Sequence, residues 1–262
     1  FLPQFLLAED QLPIAKLVQL ANQGDIESQI LLGDKYALGE KVQQDYSKAI
    51  MWYQKAAENG SIKAQIWLGF EFEKGVSIQK SYSKAFKWYS RAAKQGDNFA
   101  QLSLGYFYMK GLHVQRDYEN AQYWFKESAR QDNMDALYNL GYMAYNGLGC
   151  EKNIKIAYAL FEKAASSGHS LAQNNLGMIC IGGEYFQKDF LKAKFWFEKA
   201  AKQGLPEAQH NIANRYLNGE GVKKNLGLAI QWFTKAAKQD LPGSQYNLGY
   251  LYDKGDKAVK NV

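Results

Sequence analysis

The sequence holds few of the residues from which chemistry is built. Its 262 residues include two cysteines and three histidines. No apolar run approaches the ~18 residues of a membrane-spanning helix. No Gly-rich stretch is followed by the Lys-Ser/Thr of a phosphate loop, since Gly147-Leu148-Gly149 and Gly219-Glu220-Gly221 lack it. His113, His169 and His210 fall in a loop, a turn and a helix face. No two of them stand at metal-ligand spacing with each other or with a cysteine. Acidic pairs such as Asp132 and Asp135 are scattered and read as solvated, so nothing joins a nucleophile to a base. The expectation is no catalytic residue, no metal site and no cofactor.

Charge is also short of a pattern. The 32 basic and 26 acidic residues give a net charge of +6, but Lys and Arg are spread through the chain. That is a weak push toward acidic partners, without the basic stripe of a nucleic-acid surface. Composition is 47% hydrophobic and 22% charged, with a mean hydropathy of -0.45, and no membrane insertion is expected.

What is present is a period. The pair Leu32-Gly33 returns every 36 residues as Leu68-Gly69, Leu104-Gly105, Leu140-Gly141, Leu176-Gly177, Ile212-Ala213 and Leu248-Gly249, with no insertion. Such self-similarity means one supersecondary unit stacked on copies of itself. Each copy reads as two helices, the first copy as about Ile26 to Leu38 and Asp45 to Glu58. Ala64, Gln65, Leu68, Gly69 and Phe72 with their counterparts form the packed band of helix A. A recurring Gly (Gly39, Gly75, Gly111, Gly147, Gly183, Gly219, Gly255) suits a left-handed helix end. Six residues later a capping side chain (Asp45, Ser81, Asp117, Asn153, Asp189, Asn225) opens helix B. Helix B carries an unvarying Ala and a Trp-aromatic pair, Trp52-Tyr53 in the first copy, which we read as core.

The organisation expected is a single array over 1–262. Residues 1–25 form an apolar strap and a capping helix from Ile14 to Asn22. Residues 26–241 hold six full repeats, and 242–262 an incomplete seventh whose helix A ends near Lys254, where self-association is expected. Cys150 and Cys180 replace Val42 and Tyr36 of the first copy and read as buried free thiols in preference to a disulfide. The opening Phe1 to Ala8 fits either the tail of a secretory signal or a strap on the first helix. A periplasmic or secreted location and a cytoplasmic one therefore both stand.

The pattern Ala208-Gln209, Ile212-Ala213, Tyr216, Gly219-Glu220-Gly221-Val222, Asn225, Ala229, Trp232-Phe233, Lys235-Ala236-Ala237 resembles the Sel-one-like repeat, a longer-looped relative of the tetratricopeptide repeat. The resemblance covers nearly the whole chain. It implies an all-α fold, a right-handed α/α solenoid of 36-residue helix-loop-helix repeats with a concave groove. It also implies binding of a protein partner in place of chemistry. In related repeats the helix-A face opposite the packed band lines the groove, which here gives Trp67 and Phe70, then Tyr106 and Phe107, then Asn139, Tyr142 and Met143. The column continues with Asn175, then with Asn211, Asn214 and Arg215. The aromatics would anchor apolar side chains and the amides would hold a partner's backbone. The Asn column fits equally well as a tie between neighbouring repeats. The leading expectation is a non-catalytic adaptor or scaffold that holds a protein or peptide segment. An inhibitor or immunity protein that blocks a partner enzyme is the alternative, and RNA binding comes third because Arg215 is the only Arg of the groove.

Overall fold

The computed structural model describes residues 12–184 and 187–260, and of residues 254–260 the backbone alone. The expected strap at residues 1–11 lies outside the described residues. Backbone packing groups the chain into two compact units, residues 1–131 and 132–262. The first unit holds α1 (Ile14–Asn22) and three helix pairs: α2 (Ile26–Leu38) with α3 (Tyr46–Glu58), α4 (Ile62–Lys74) with α5 (Tyr82–Lys94), and α6 (Asn98–Lys110) with α7 (Tyr118–Ala129). The second holds α8 (Met134–Asn146) with α9 (Ile154–Ser166), α10 (Ser170–Gly182) with α11 (Phe190–Lys202), α12 (Pro206–Asn218) with α13 (Leu226–Ala237), and the single α14 (Pro242–Lys260). Every element among the described residues is a helix, and each unit is a stack of the expected all-α repeats. Even-numbered helices from α2 onward are helix A of a repeat, and odd-numbered ones from α3 onward are helix B.

One residue welds the two helices of each pair. The Asp45 carboxylate accepts from the Lys48 backbone N–H at 3.0 Å, capping α3. The Asp45 N–H donates to the Tyr36 carbonyl at 2.9 Å, tying α3 to the end of α2. Ser81, Asp117, Asn153, Asp189 and Asn225 repeat both bonds. The turn between is possible because Gly39 and its counterparts through Gly219 hold φ of 68–77°, a left-handed conformation that other residues enter at a cost.

Helix spacing within a pair is set by a ring on a bare backbone. A Cβ on Gly33, Gly69, Gly105, Gly141 or Gly177 would lie 2.4–2.8 Å from the ring of Tyr53, Tyr89, Phe125, Phe161 or Phe197. Those rings and Phe233 are buried. The residue after the recurring Trp, or after Leu160 in the fourth copy, is therefore the centre of the core. Trp52, Trp88 and Trp196 are buried beside it, but Trp124 and Trp232 are only half-buried, which corrects the reading of the Trp itself as the core anchor. The indoles form a shoulder covered by cations, with Lys55 4.3 Å from the Trp52 ring centre, Arg91 4.9 Å from Trp88 and Lys235 4.2 Å from Trp232. Such contacts add about 0.5–1 kcal/mol at a surface.

Successive repeats are joined by a glutamine relay, whose helix-A member is buried and whose partner at the end of the same repeat is exposed. Gln65 donates to the Ala57 carbonyl of the preceding helix B at 2.9 Å and accepts from Gln95 at 2.8 Å. Gln29 with Asn59, Gln101 with Gln131, Gln173 with Gln203 and Gln209 with Gln239 repeat the arrangement.

Two further expectations are corrected. Cys180 is buried, but Cys150 is exposed and both are free thiols. Cys150 stands in the interhelix loop, where Val42 and Val222 of other copies are themselves only half-buried. Helix α14 does not turn at Gly255 but runs on to Lys260. Residues 256–260 (Asp-Lys-Ala-Val-Lys) contain no Gly or Pro to break a helix.

Candidate functional site

In each unit, three columns of equivalent positions lie on the helix-A face, and their burial differs sharply. Phe70 and Tyr106 in the first unit, and Tyr142 and Met178 in the second, hold the same position and are each 36–42% exposed. One residue further, rotated by about 100°, Lys35, Glu71, Phe107, Met143 and Ile179 are buried. Phe107 and Met143 were expected to line the groove, and the structure removes both. The Phe107 ring packs 5.9 Å from those of Tyr82, Phe86 and Tyr89 on the preceding helix B. Arg215, in the same buried column, keeps only 12% of its side chain exposed. It pairs with Glu220 at 2.5 Å and lies 5.7 Å from the Phe190 ring, so it too is committed inside its repeat.

The third column holds Trp67, Asn139, Asn175 and Asn211. Trp67 was expected to face water, but its indole stacks on Tyr53 with ring centres 4.0 Å apart and 14° between planes. It is half-buried packing between α3 and α4. Asn139 is buried and donates to the Asp135 carbonyl at 2.6 Å, which takes it out of any partner surface. Asn175, Asn211 and Asn214 remain half-buried. Asn211 donates to the Asn174 amide oxygen at 2.9 Å and lies 3.6 Å from the Met178 sulfur. Part of the Asn column thus does tie neighbouring repeats.

What the structure brings together is a pocket on the second unit. It is open, measures about 420 Å³, and is walled by Asn174, Asn175 and Met178 of α10, Glu207, His210 and Asn211 of α12, and Leu241 and Gly243 at the start of α14. Met178 and Leu241 make it apolar, and Asn175 makes no side-chain hydrogen bond among the described residues. His210 is pinned through Nδ1 to the buried Ser244 hydroxyl at 2.9 Å, and its ring meets Phe233 edge-on at 5.3 Å. Burial pushes its pKa below the usual 6.5, so the ring is neutral near pH 7. The sequence reading reached Asn175 and Asn211 but missed His210, Glu207, Leu241 and Gly243. The available signal was Gly243, a glycine at a position where the other copies carry a side chain.

Among the described residues no three His, Cys, Asp or Glu side chains gather as a metal site. No helix there is long and apolar enough to cross a membrane.

The Sel1 repeat profile matches residues 26–61, 62–97, 98–133, 135–169, 170–205, 206–241 and 242–262, seven repeats in the register of the helix pairs. No curated protein matches the chain by sequence. Among solved structures, a protective antigen of uropathogenic Escherichia coli displaying an SLR fold is 33% identical, with a TM-score of 0.52. The match covers 92% of this chain and 59% of that one, so the present chain spans little more than half of that relative's length. A Sel1 repeat protein from Oxalobacter formigenes is 28% identical over 91% of this chain and 79% of its own, with a TM-score of 0.64. Immunity protein Pa5087 from Pseudomonas aeruginosa, 18% identical over 82% and 83% with a TM-score of 0.50, shares the fold alone.

Proposed function

This chain belongs to the Sel1 repeat family, whose members are generally protein-interaction scaffolds, and from that premise we propose a non-catalytic adaptor that holds an extended segment of a partner protein against the helix-A face of its second unit. The observation that supports this most is the pocket in which Asn175 and Asn211 flank Met178. An extended segment offers main-chain N–H and C=O groups at every residue, and a carboxamide can serve either one. Asn211 is oriented by Asn174, which lowers the ordering cost of binding. Met178 and Leu241 supply apolar area, and methionine adapts its shape to varied side chains. On the first unit, the exposed Phe70 and Tyr106 offer a separate patch of apolar surface.

The test is a photo-crosslinking side chain placed at Asn175 or, as a control, at Phe195, which is exposed on helix B of the same unit. Expressed in its native cells, the Asn175 variant should give discrete protein adducts that the Phe195 variant does not. Adducts at Phe195 alone would move the binding surface to the helix-B side.

A further inference from the structure

The second residue of helix A varies along the array (Glu27, Lys63, Phe99, Asp135, Leu171, Glu207, Gly243), and for three of them the side chain's partner can be read from the structure. Lys63 reaches back to Asp34 of the preceding helix A at 3.3 Å. The Phe99 ring packs 6.2 Å from that of Tyr89. The Asp135 carboxylate meets His169, the N-cap of the following helix A, at 3.0 Å. In α14 the equivalent residue is Gly243, which lines the 420 Å³ pocket and puts no side chain into it. A Cβ added at Gly243 would stand 3.3 Å from His210 Cε1, so the slot opens directly onto the imidazole ring.

The chemistry of that slot is specific. Its floor is the His210 ring, held edge-on to Phe233, the counterpart of the Tyr89 on which Phe99 packs. Met178 borders it, and a thioether favours an aromatic neighbour. The rim carries two acceptors, the Asn175 amide oxygen and the Glu207 carboxylate, and Glu207 is exposed. We propose that this slot receives an aromatic side chain of the partner segment, a tyrosine whose ring lies on His210 and Met178 and whose hydroxyl reaches the acceptor rim. Phe99 is the internal template for that ring. A neutral imidazole suits an aromatic occupant, and burial keeps His210 neutral near pH 7. The inference rests on the reading of this face as a protein-binding surface and names the side chain that it takes.

The experiment uses the full chain with labelled methionine methyl and backbone amide groups, titrated by NMR with N-acetyl-tyrosinamide and with N-acetyl-leucinamide. A companion variant, Gly243→Leu, fills the slot with the residue found at the equivalent Leu171. Its Cβ would stand 3.3 Å from the His210 ring, which Ser244 holds, so the ring must give by a few tenths of an ångström, and an unchanged helical circular dichroism spectrum is the check that the variant is folded. Tyrosinamide should shift the Met178 methyl and Gly243 amide signals saturably, with leucinamide about fivefold weaker, as expected for an aromatic pair. Gly243→Leu should lose the response at Met178. Silence with tyrosinamide, an equal response to leucinamide, or a response kept in Gly243→Leu would each overturn the assignment. Failure of the inference and failure of the reading it rests on give different results. Adducts at position 175 that persist in Gly243→Leu, with tyrosinamide silent, leave the adaptor standing and remove the tyrosine. A tyrosinamide response without adducts does the reverse.

Discussion

A Cβ on Gly105 would lie 2.4 Å from the Phe125 ring, whereas a Cβ on Gly249 would meet nothing within 4 Å. The same substitution should therefore have opposite signs at two positions that the repeat makes equivalent. Gly105→Ala forces α6 and α7 apart and should cost about 1–3 kcal/mol, the range for overpacking. Gly249→Ala removes only backbone freedom and should gain about 0.5–1 kcal/mol. Urea midpoints at unchanged slope would show it, and a shared sign would refute the ring-on-backbone account. Ala213 in the sixth copy shows that a methyl is accommodated where the rest of the pair is built for it. His210 gives a second expectation at this scale. Its folded pKa is depressed by burial, so the unfolded chain binds the proton more readily. The stability it contributes is present above about pH 6.5 and is lost as pH falls through the folded value. Urea midpoints between about pH 7.5 and pH 5 should decline more steeply for the native chain than for His210→Asn. Parallel curves would show that the burial of His210 carries no linkage.

The glutamine relay is an interaction of elements, since it joins the end of one repeat to the first helix of the next. Removing one member loses the bonds it makes: Gln65→Leu gives up those to Ala57 and Gln95, and since Gln95 is exposed and keeps the Arg91 carbonyl at 3.5 Å, the cost should be about 0.5–1.5 kcal/mol. The fourth copy shows how both can be dispensed with, because Leu137 replaces the glutamine and Ser167 replaces its partner. Copying that pair, Gln65→Leu with Gln95→Ser, should cost less than the sum of the two single changes, because the Gln65–Gln95 bond is lost only once. A double-mutant cycle reads the coupling, and strict additivity would show that the two glutamines act separately. At this scale the fold was legible before the structure. Helix ends, caps such as Asp45 and the turn glycines are local chemistry repeated six times, and repetition averages out the ambiguity of any one copy. The relay was half legible, since Gln65 was placed in the packed band but its partner at Gln95 was not. The binding face was less so. Phe70 and Phe107 occupy neighbouring columns about 100° apart, and a helical wheel cannot tell which of two flanking columns the preceding repeat covers. Trp67 misled for a related reason: its departure from the repeat pattern looked like function, whereas it is local packing on Tyr53. The pocket came from an absence, Gly243, which carries no side chain to draw the eye.

At the scale of the molecule, repeat arrays gain stability from nearest-neighbour interfaces, and at least about three repeats are needed to bury a continuous core. The first unit meets that condition by itself. Its core runs through Ile30, Tyr53, Leu68, Tyr89 and Phe107, and Leu17 of α1 packs with Leu32 and Trp52 at its start. The second unit holds three pairs and α14, with a core around Phe197, Ala208 and Ile212 and another around Ala213, Ala229 and Phe233, against which Leu248 and Leu251 of α14 pack. Residues 1–131 and 132–262, expressed separately, should each show a helical circular dichroism spectrum and a cooperative urea transition. Slopes should scale with the smaller surface exposed on unfolding. Phe125→Ala, at a fully buried ring, should cost about 3–5 kcal/mol in the first fragment, and Phe233→Ala should do the same in the second. If either fragment is unfolded in isolation while the whole chain melts in one transition, the 36-residue interfaces inside a unit are too weak to hold it. The array would then have to be treated as one indivisible cooperative body.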